Sequence, residues 1–68
     1  MYDYSKLLGR MKENKLRQED LAEIIGINAA TFSQKLNGKK NFKQTEIKKI
    51  CDTLNIRADE IGAYFFTF

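Results

Sequence analysis

Ala29, Ala30, Ser33 and Gln34 take the first, second, fifth and sixth places of the run AATFSQKL, which lies between Gly26 and Gly38. At about 3.6 residues per turn, that spacing sets all four on one side of a helix. The side has little bulk, so another surface can approach it closely. A glutamine amide can pair bidentately with adenine, a serine can hydrogen-bond either way, and alanine methyls can contact thymine methyls. The chemistry of such a set is recognition of base edges, not bond making. A blander reading stays open beside it: Ala29 and Ala30 as strong helix formers on a plain surface, and Gln34 as a solvated glutamine.

The groups that bond making would need are missing. The chain has no histidine and no convincing acid–base pair, which points away from an enzyme. Its single cysteine, Cys51, excludes an internal disulfide and fits a reducing compartment. Cys51 also falls within an apolar stripe, where a small buried hydrophobe is the expected role. No metal site, cofactor or small-molecule ligand is expected from this residue set. No apolar run approaches the roughly 18–20 residues of a membrane span, and the charged N-terminal stretch is no signal peptide. The expected location is cytoplasmic, with no membrane partner.

Charge is uneven along the 68 residues, whose net charge is +3. Residues 17–28 hold Glu19, Asp20 and Glu23 against Arg17, a balance of −2. Residues 29–49 hold Lys35, Lys39, Lys40, Lys43, Lys48 and Lys49 against Glu46, a balance of +5. A lysine run alone describes a solvated surface, but clustering on one side of a small body favours a polyanionic partner.

The elements that must hold these residues are helical. Tyr4, Leu7, Leu8 and Met11 follow the i, i+3, i+4, i+7 pattern of one buried face, with Asp3 suited to cap the helix. A second helix is predicted from about residue 18 to 25, burying Leu21, Ala22 and Ile25 and stopping at Gly26. Asn28 is a good N-cap for the third, which buries Phe32 and Leu36 and stops at Gly38. Ile47, Ile50, Cys51 and Leu54 mark a fourth helix, and residues 58–65 a shorter fifth. The expected fold is all-α: a single compact five-helix domain over residues 1–68. Only Gly26-Ile27-Asn28 separates the second helix from the third, so tight a link that a helix-turn-helix is expected over about 17–37. In that motif the second helix enters the major groove by its N-terminal end.

The segment RQEDLAEIIGINAATFSQKLNGKKNF (17–42) is similar to the helix-turn-helix of the lambda-repressor and Cro-like phage regulators. The features that match are Gln18, Leu21-Ala22, Gly26-Ile27, Thr31-Phe32 and Asn37-Gly38-Lys39. With the fourth-helix stripe and LNIRADEI (54–61), the resemblance covers about residues 16–62. It implies that Ala29, Ala30, Ser33 and Gln34 face bases. It implies backbone contacts for Gln18, Asn28, Thr31, Asn37, Lys39, Lys40 and Lys43, and Arg17 joins them as a cation beside the DNA face. Phosphate contacts of this kind position the protein, while base contacts specify.

The chain also departs from that pattern. Arg17, Lys43 and Arg57 stand just before helices, where relatives place serine or threonine, so each is expected to give up a cap at a cost of about 1 kcal/mol. Phosphate contact would compensate Arg17 and Lys43; nothing in the sequence accounts for Arg57. Phe42 replaces a proline and reads as a core plug under the loop. Leu36 stands where glutamate is common, so packing is expected in place of a polar tie.

The tail YFFTF (64–68) is the second informative stretch. Four aromatics cannot all fold back onto so small a body, and an exposed apolar patch marks an interface. Phe65 with Ile61 can finish the core, where Tyr64 has an alternative place; Tyr64, Phe66 and Phe68 are the expected homodimer contacts, against a frayed terminus as the plainer reading. Two copies would read half-sites about 34 Å apart. The resemblance implies sequence-specific binding of a double-stranded DNA operator by a Cro-like repressor that acts by occupancy. The alternative is a protein-interaction module on the same fold, antitoxin-like or an antirepressor partner.

Overall fold

A computed structural model describes residues 2–67. The helices are α1 (Ser5–Glu13), α2 (Gln18–Ile25), α3 (Ala29–Leu36), α4 (Gln44–Leu54) and, after a single 3-10 turn over Ala58–Glu60, α5 (Ile61–Phe65). No strand occurs among the described residues, so the all-α expectation holds. Nor is any described helix long and apolar enough to cross a membrane.

Helices α1 to α4 and the 3-10 turn each begin where a side-chain oxygen takes an otherwise unpaired N–H. Asp3 Oδ1 accepts from Ser5 N at 2.9 Å at the start of α1. Asn28 Oδ1 accepts from Thr31 N at 2.7 Å at the start of α3. Arg17, Lys43 and Arg57 make no side-chain cap bond, as expected, but each helix start gains a different one. Three residues on from each stands an acid whose carboxylate reaches back to the cap residue's own N–H. Asp20 accepts from Arg17 N at 2.9 Å, Glu46 from Lys43 N at 2.8 Å and Glu60 from Arg57 N at 3.2 Å. This is the acidic half of a capping box, and it places negative charge at the positive end of each helix. Arg57 has a further role, since its guanidinium pairs with both oxygens of Asp59.

Helix α2 ends on Gly26 at φ 86, a left-handed position that an L side chain resists. The chain turns there, and Ile27 N donates back to Ala22 O at 3.0 Å. The core draws on every helix: Leu7 and Met11, Leu21, Ala22 and Ile25, Phe32, Ile50, Cys51 and Leu54, then Tyr64 and Phe65, with Tyr4 and Ile56 from the connections. Leu8 does not join them and is 41% exposed, a correction to the first-helix stripe. Tyr4, Leu7 and Met11 already fill the covered side of α1, and Leu8 lies about 100° round from Leu7.

Tyr64 lies in the core, the alternative place that the sequence left open for it, and is not exposed as a dimer contact would be. Ile61, Tyr64 and Phe65 have i, i+3, i+4 spacing, so α5 turns them inward together, and the Lys6 ammonium covers the Tyr64 ring at 4.9 Å. Phe66 is half exposed, its ring edge-on to Tyr2 at 5.6 Å, and Asp3 N donates to Thr67 O beside it. Phe68 lies outside the described residues.

Candidate nucleic-acid interface

Helix α3 packs chiefly against α2, through an inner side anchored by the fully buried ring of Phe32. Its other side carries the four expected base-facing residues. Ala29 and Ala30 are exposed, and Ser33 and Gln34 half-buried. The four span an arc of about 140° centred opposite Phe32 and Lys35, so one surface can meet them all. Asn28 and Asn37 bracket this face. The first caps α3 through its carbonyl oxygen, and the second closes α3, with Nδ2 3.5 Å from Ser33 Oγ. Thr31 is half-buried, and Gln18 is exposed at the first position of α2.

The lysine loop follows at once. Gly38 adopts φ 79 and Lys39 N donates to Gln34 O at 2.9 Å, which turns the chain away from α3. Phe42 then pins the loop's far end. Its ring stands edge-on to Phe32 at 5.9 Å, Tyr4 at 5.4 Å and Phe65 at 5.6 Å, the core plug that the sequence led us to expect. Lys39 and Lys40 between these anchors, and Lys43 just beyond Phe42, are exposed and make no ion pair among the described residues. Arg17 differs, paired with Glu19 at 2.9 Å and Asp20 at 3.4 Å. Such exposed pairs are weak and exchange readily with a phosphate.

Lys35 is the residue that sequence reasoning misplaced. Counted with the basic surface, it is 5% exposed and pairs through Nζ with Glu46 Oε1, itself 6% exposed. The two cancel, so the five remaining lysines of residues 29–49 keep the whole charge of that stretch. A signal was present: Lys35 follows Phe32 by three and precedes Leu36 by one, a position on the inner face of α3.

Burial alone would raise the Glu46 carboxyl. Hydrogen bonds from Lys35 Nζ and Lys43 N, with the charges of both lysines, outweigh it and hold the group below its usual value. Burial pushes the Cys51 thiol up, aided by the nearby Asp52, so Cys51 is an inert core residue. Among the described residues no group of three or more acidic, cysteine or histidine side chains is arranged to hold a metal ion.

Over residues 1–67 the chain matches the family described as "Protein of unknown function (DUF739)". It belongs to that family. Among solved structures it is similar to the modulator of repression (MOR) of the temperate bacteriophage TP901-1 from Lactococcus lactis, determined in solution. The two share 40% identity and a TM-score of 0.80, over 96% of this chain and 88% of the other. No curated protein matches it. At this identity the DUF739 chain shares the helical fold of a phage protein.

Proposed function

We propose that this DUF739 chain is a non-enzymatic, cytoplasmic regulator of a phage repression switch that lays α3 against double-stranded DNA. The observation that carries the reading is the small-residue face of α3, followed directly by a loop of unpaired lysines. The 40% identical relative, named for its part in repression, supports the biological setting. Gln34 and Ser33 supply the hydrogen-bonding readout and the alanines allow close approach. Lys39, Lys40 and Lys43, with Gln18, Asn28, Thr31, Asn37 and Arg17, hold the phosphates and set the register. So few polar groups leave part of the specificity to DNA shape.

Operator occupancy by a Cro-like homodimer is the finer form of this reading. The Cα framework measures 27 Å along its longest axis, less than the roughly 34 Å between half-sites one turn apart, so a palindromic site calls for two copies. Phe66, half exposed beside a groove floored by Ile47, Cys51 and Ile61, is the contact we assign to the second copy.

One observation favours a second reading. The relative is named a modulator of repression, not a repressor, and a face of alanines suits a protein surface as well as a groove of DNA. On that reading α3 docks on a protein that itself represses. Selection from random duplex DNA at about 150 mM salt, where phosphate-only binding is suppressed, separates the two. Enriched inverted repeats about one helical turn apart support the dimeric operator binder, and a single enriched half-site supports a monomer on DNA. The absence of any enrichment would transfer α3 to a protein partner.

A further inference from the structure

A buried lysine–glutamate pair joins the candidate recognition helix to the rest of the domain, and its placement singles it out. Lys35 lies on the inner side of α3 and Glu46 in the first turn of α4, eleven residues later. One carboxylate oxygen, Glu46 Oε1, accepts from Lys35 Nζ and also from Lys43 N at 2.8 Å. A single atom therefore ties three things together: the last turn of α3, the end of the lysine loop and the start of α4. Among the described residues no backbone hydrogen bond joins α3 to α4, and α3 packs chiefly on α2.

Stability does not explain the pair. Removing two charges from water costs several kcal/mol each, and well-packed apolar side chains at such sites are commonly as stable or more so. An apolar pair, however, would slide. The ion pair holds the Lys35 ammonium at Glu46 Oε1, the same oxygen that accepts from Lys43 N, so the end of α3 is placed relative to the start of α4.

We infer that Lys35 and Glu46 are positioning residues. They set the angle of α3 against the loop, so that the face of Ala29, Ala30, Ser33 and Gln34 and the lysines at 39, 40 and 43 meet one target in register. The inference rests on the proposed use of α3 as the recognition helix. Its structural half, the fixed orientation, is measurable without any ligand.

The test compares the parent with Lys35→Met/Glu46→Met, which fills the space with apolar volume, and with Lys35→Met/Glu46→Gln, which keeps an acceptor for Lys43 N. Residual dipolar couplings report the orientation of α3 against α4, and amide relaxation reports the loop. The Met/Met variant should melt within about 5 °C of the parent. Its α3 couplings should no longer fit the parental orientation, and amides 38–43 should gain motion. In the Met/Gln variant α3 should be released while the loop end stays ordered, and this variant decides the matter where Met/Met does not fold.

Affinity for a selected operator should fall about 10-fold in Met/Met at unchanged salt dependence, because the lysines remain but no longer act in register. Parental couplings and loop dynamics in the variants would overturn the inference, as would parental affinity at an operator that the parent binds. A parent that binds no duplex DNA would refute the DNA reading alone, and the couplings would still decide whether the pair orients α3.

Discussion

Arg10, in the middle of α1, donates from Nε to the carbonyl oxygen of Leu54 at 3.0 Å, forty-four residues away at the end of α4. Its Nη2 reaches the next carbonyl, that of Asn55, at 3.2 Å. The last carbonyls of a helix have no internal partner and carry its negative end, so a guanidinium there satisfies both needs. Arg10→Met keeps the aliphatic stem and removes the fork. It should cost about 1 kcal/mol, less than a fully buried charged hydrogen bond because Asn55 is exposed. The Ile56 amide, bonded to Cys51 O at 2.9 Å, should exchange faster. Arg10→Lys should recover only part of the loss, since one ammonium cannot fork to two carbonyls. Full recovery by lysine would show that charge alone matters.

Phe42 is half-buried yet touches three aromatic rings from three parts of the chain. Phe42→Ala should destabilise the domain by about 2–3 kcal/mol, somewhat under the ~3–5 kcal/mol of a fully enclosed phenylalanine. Phe42→Leu should cost less than half as much. Urea denaturation measures both. A loss below about 0.5 kcal/mol for the alanine variant would mean that the loop is not anchored by this ring.

Much of this architecture is legible in the sequence because local rules decide it. The spacings of Leu21, Ala22 and Ile25 and of Ile50, Cys51 and Leu54 fix their helices, and Gly26 and Asn28 fix the turn between α2 and α3. The acids at 20, 46 and 60 each stand three residues after a cationic cap, a regularity visible in the sequence, but the missing serine or threonine hides the capping box. For Lys35 the spacing marks the inner face of α3, but its partner is not visible from local spacing. A lysine is buried only when a partner is waiting, and the partner stands on another helix. Leu8 and Tyr64 show the same limit from the apolar side, since periodicity marks a face but not how wide a face the neighbours cover.

The pair of Lys35 and Glu46 should leave a mark on the pH dependence of stability. The Glu46 carboxyl titrates lower in the folded chain than its unfolded value of 4.5. Its contribution is therefore complete above about pH 4.5 and is lost as the pH falls through the depressed folded value. Glu46→Gln removes that contribution and strands the Lys35 ammonium, at a cost of about 3 kcal/mol at pH 7. The gap between parent and variant should shrink as the pH falls below 4.5 and through the depressed folded value. Asp3, Asp20 and Asp59 are also held low, by bonds from Ser5, Arg17 and Arg57, but they are common to both proteins and drop out of the difference. A gap that stays constant between pH 7 and pH 3 would mean that Glu46 does not titrate in this way.

Phe66 gives the proposed dimer a simple test. Its ring is 50% exposed and packs on Tyr2 alone among the ring contacts in the described residues. Phe66→Ser should therefore leave the monomer's stability within about 0.5 kcal/mol of the parent, as for most surface changes. Light scattering at micromolar concentration should show a dimer for the parent and a monomer for the variant. A parent that is already monomeric there would remove the dimer and leave Phe66 as an exposed terminal ring.

The division of labour proposed for the α3 face and the loop predicts opposite signatures. Lys39→Ala and Lys40→Ala should weaken binding to selected and random DNA alike, and each should reduce the salt slope by about 1. Gln34→Ala should leave the salt slope unchanged and relax preference at one base position, worth roughly 1–3 kcal/mol of discrimination. The contrast has force because the two groups sit on either side of a turn held by Lys39 N on Gln34 O, so neither substitution need disturb the other's surface. Competition titrations at several salt concentrations read both quantities at once. Equal losses on specific and random DNA for Gln34→Ala would strip that residue of its reading role while leaving the lysines theirs.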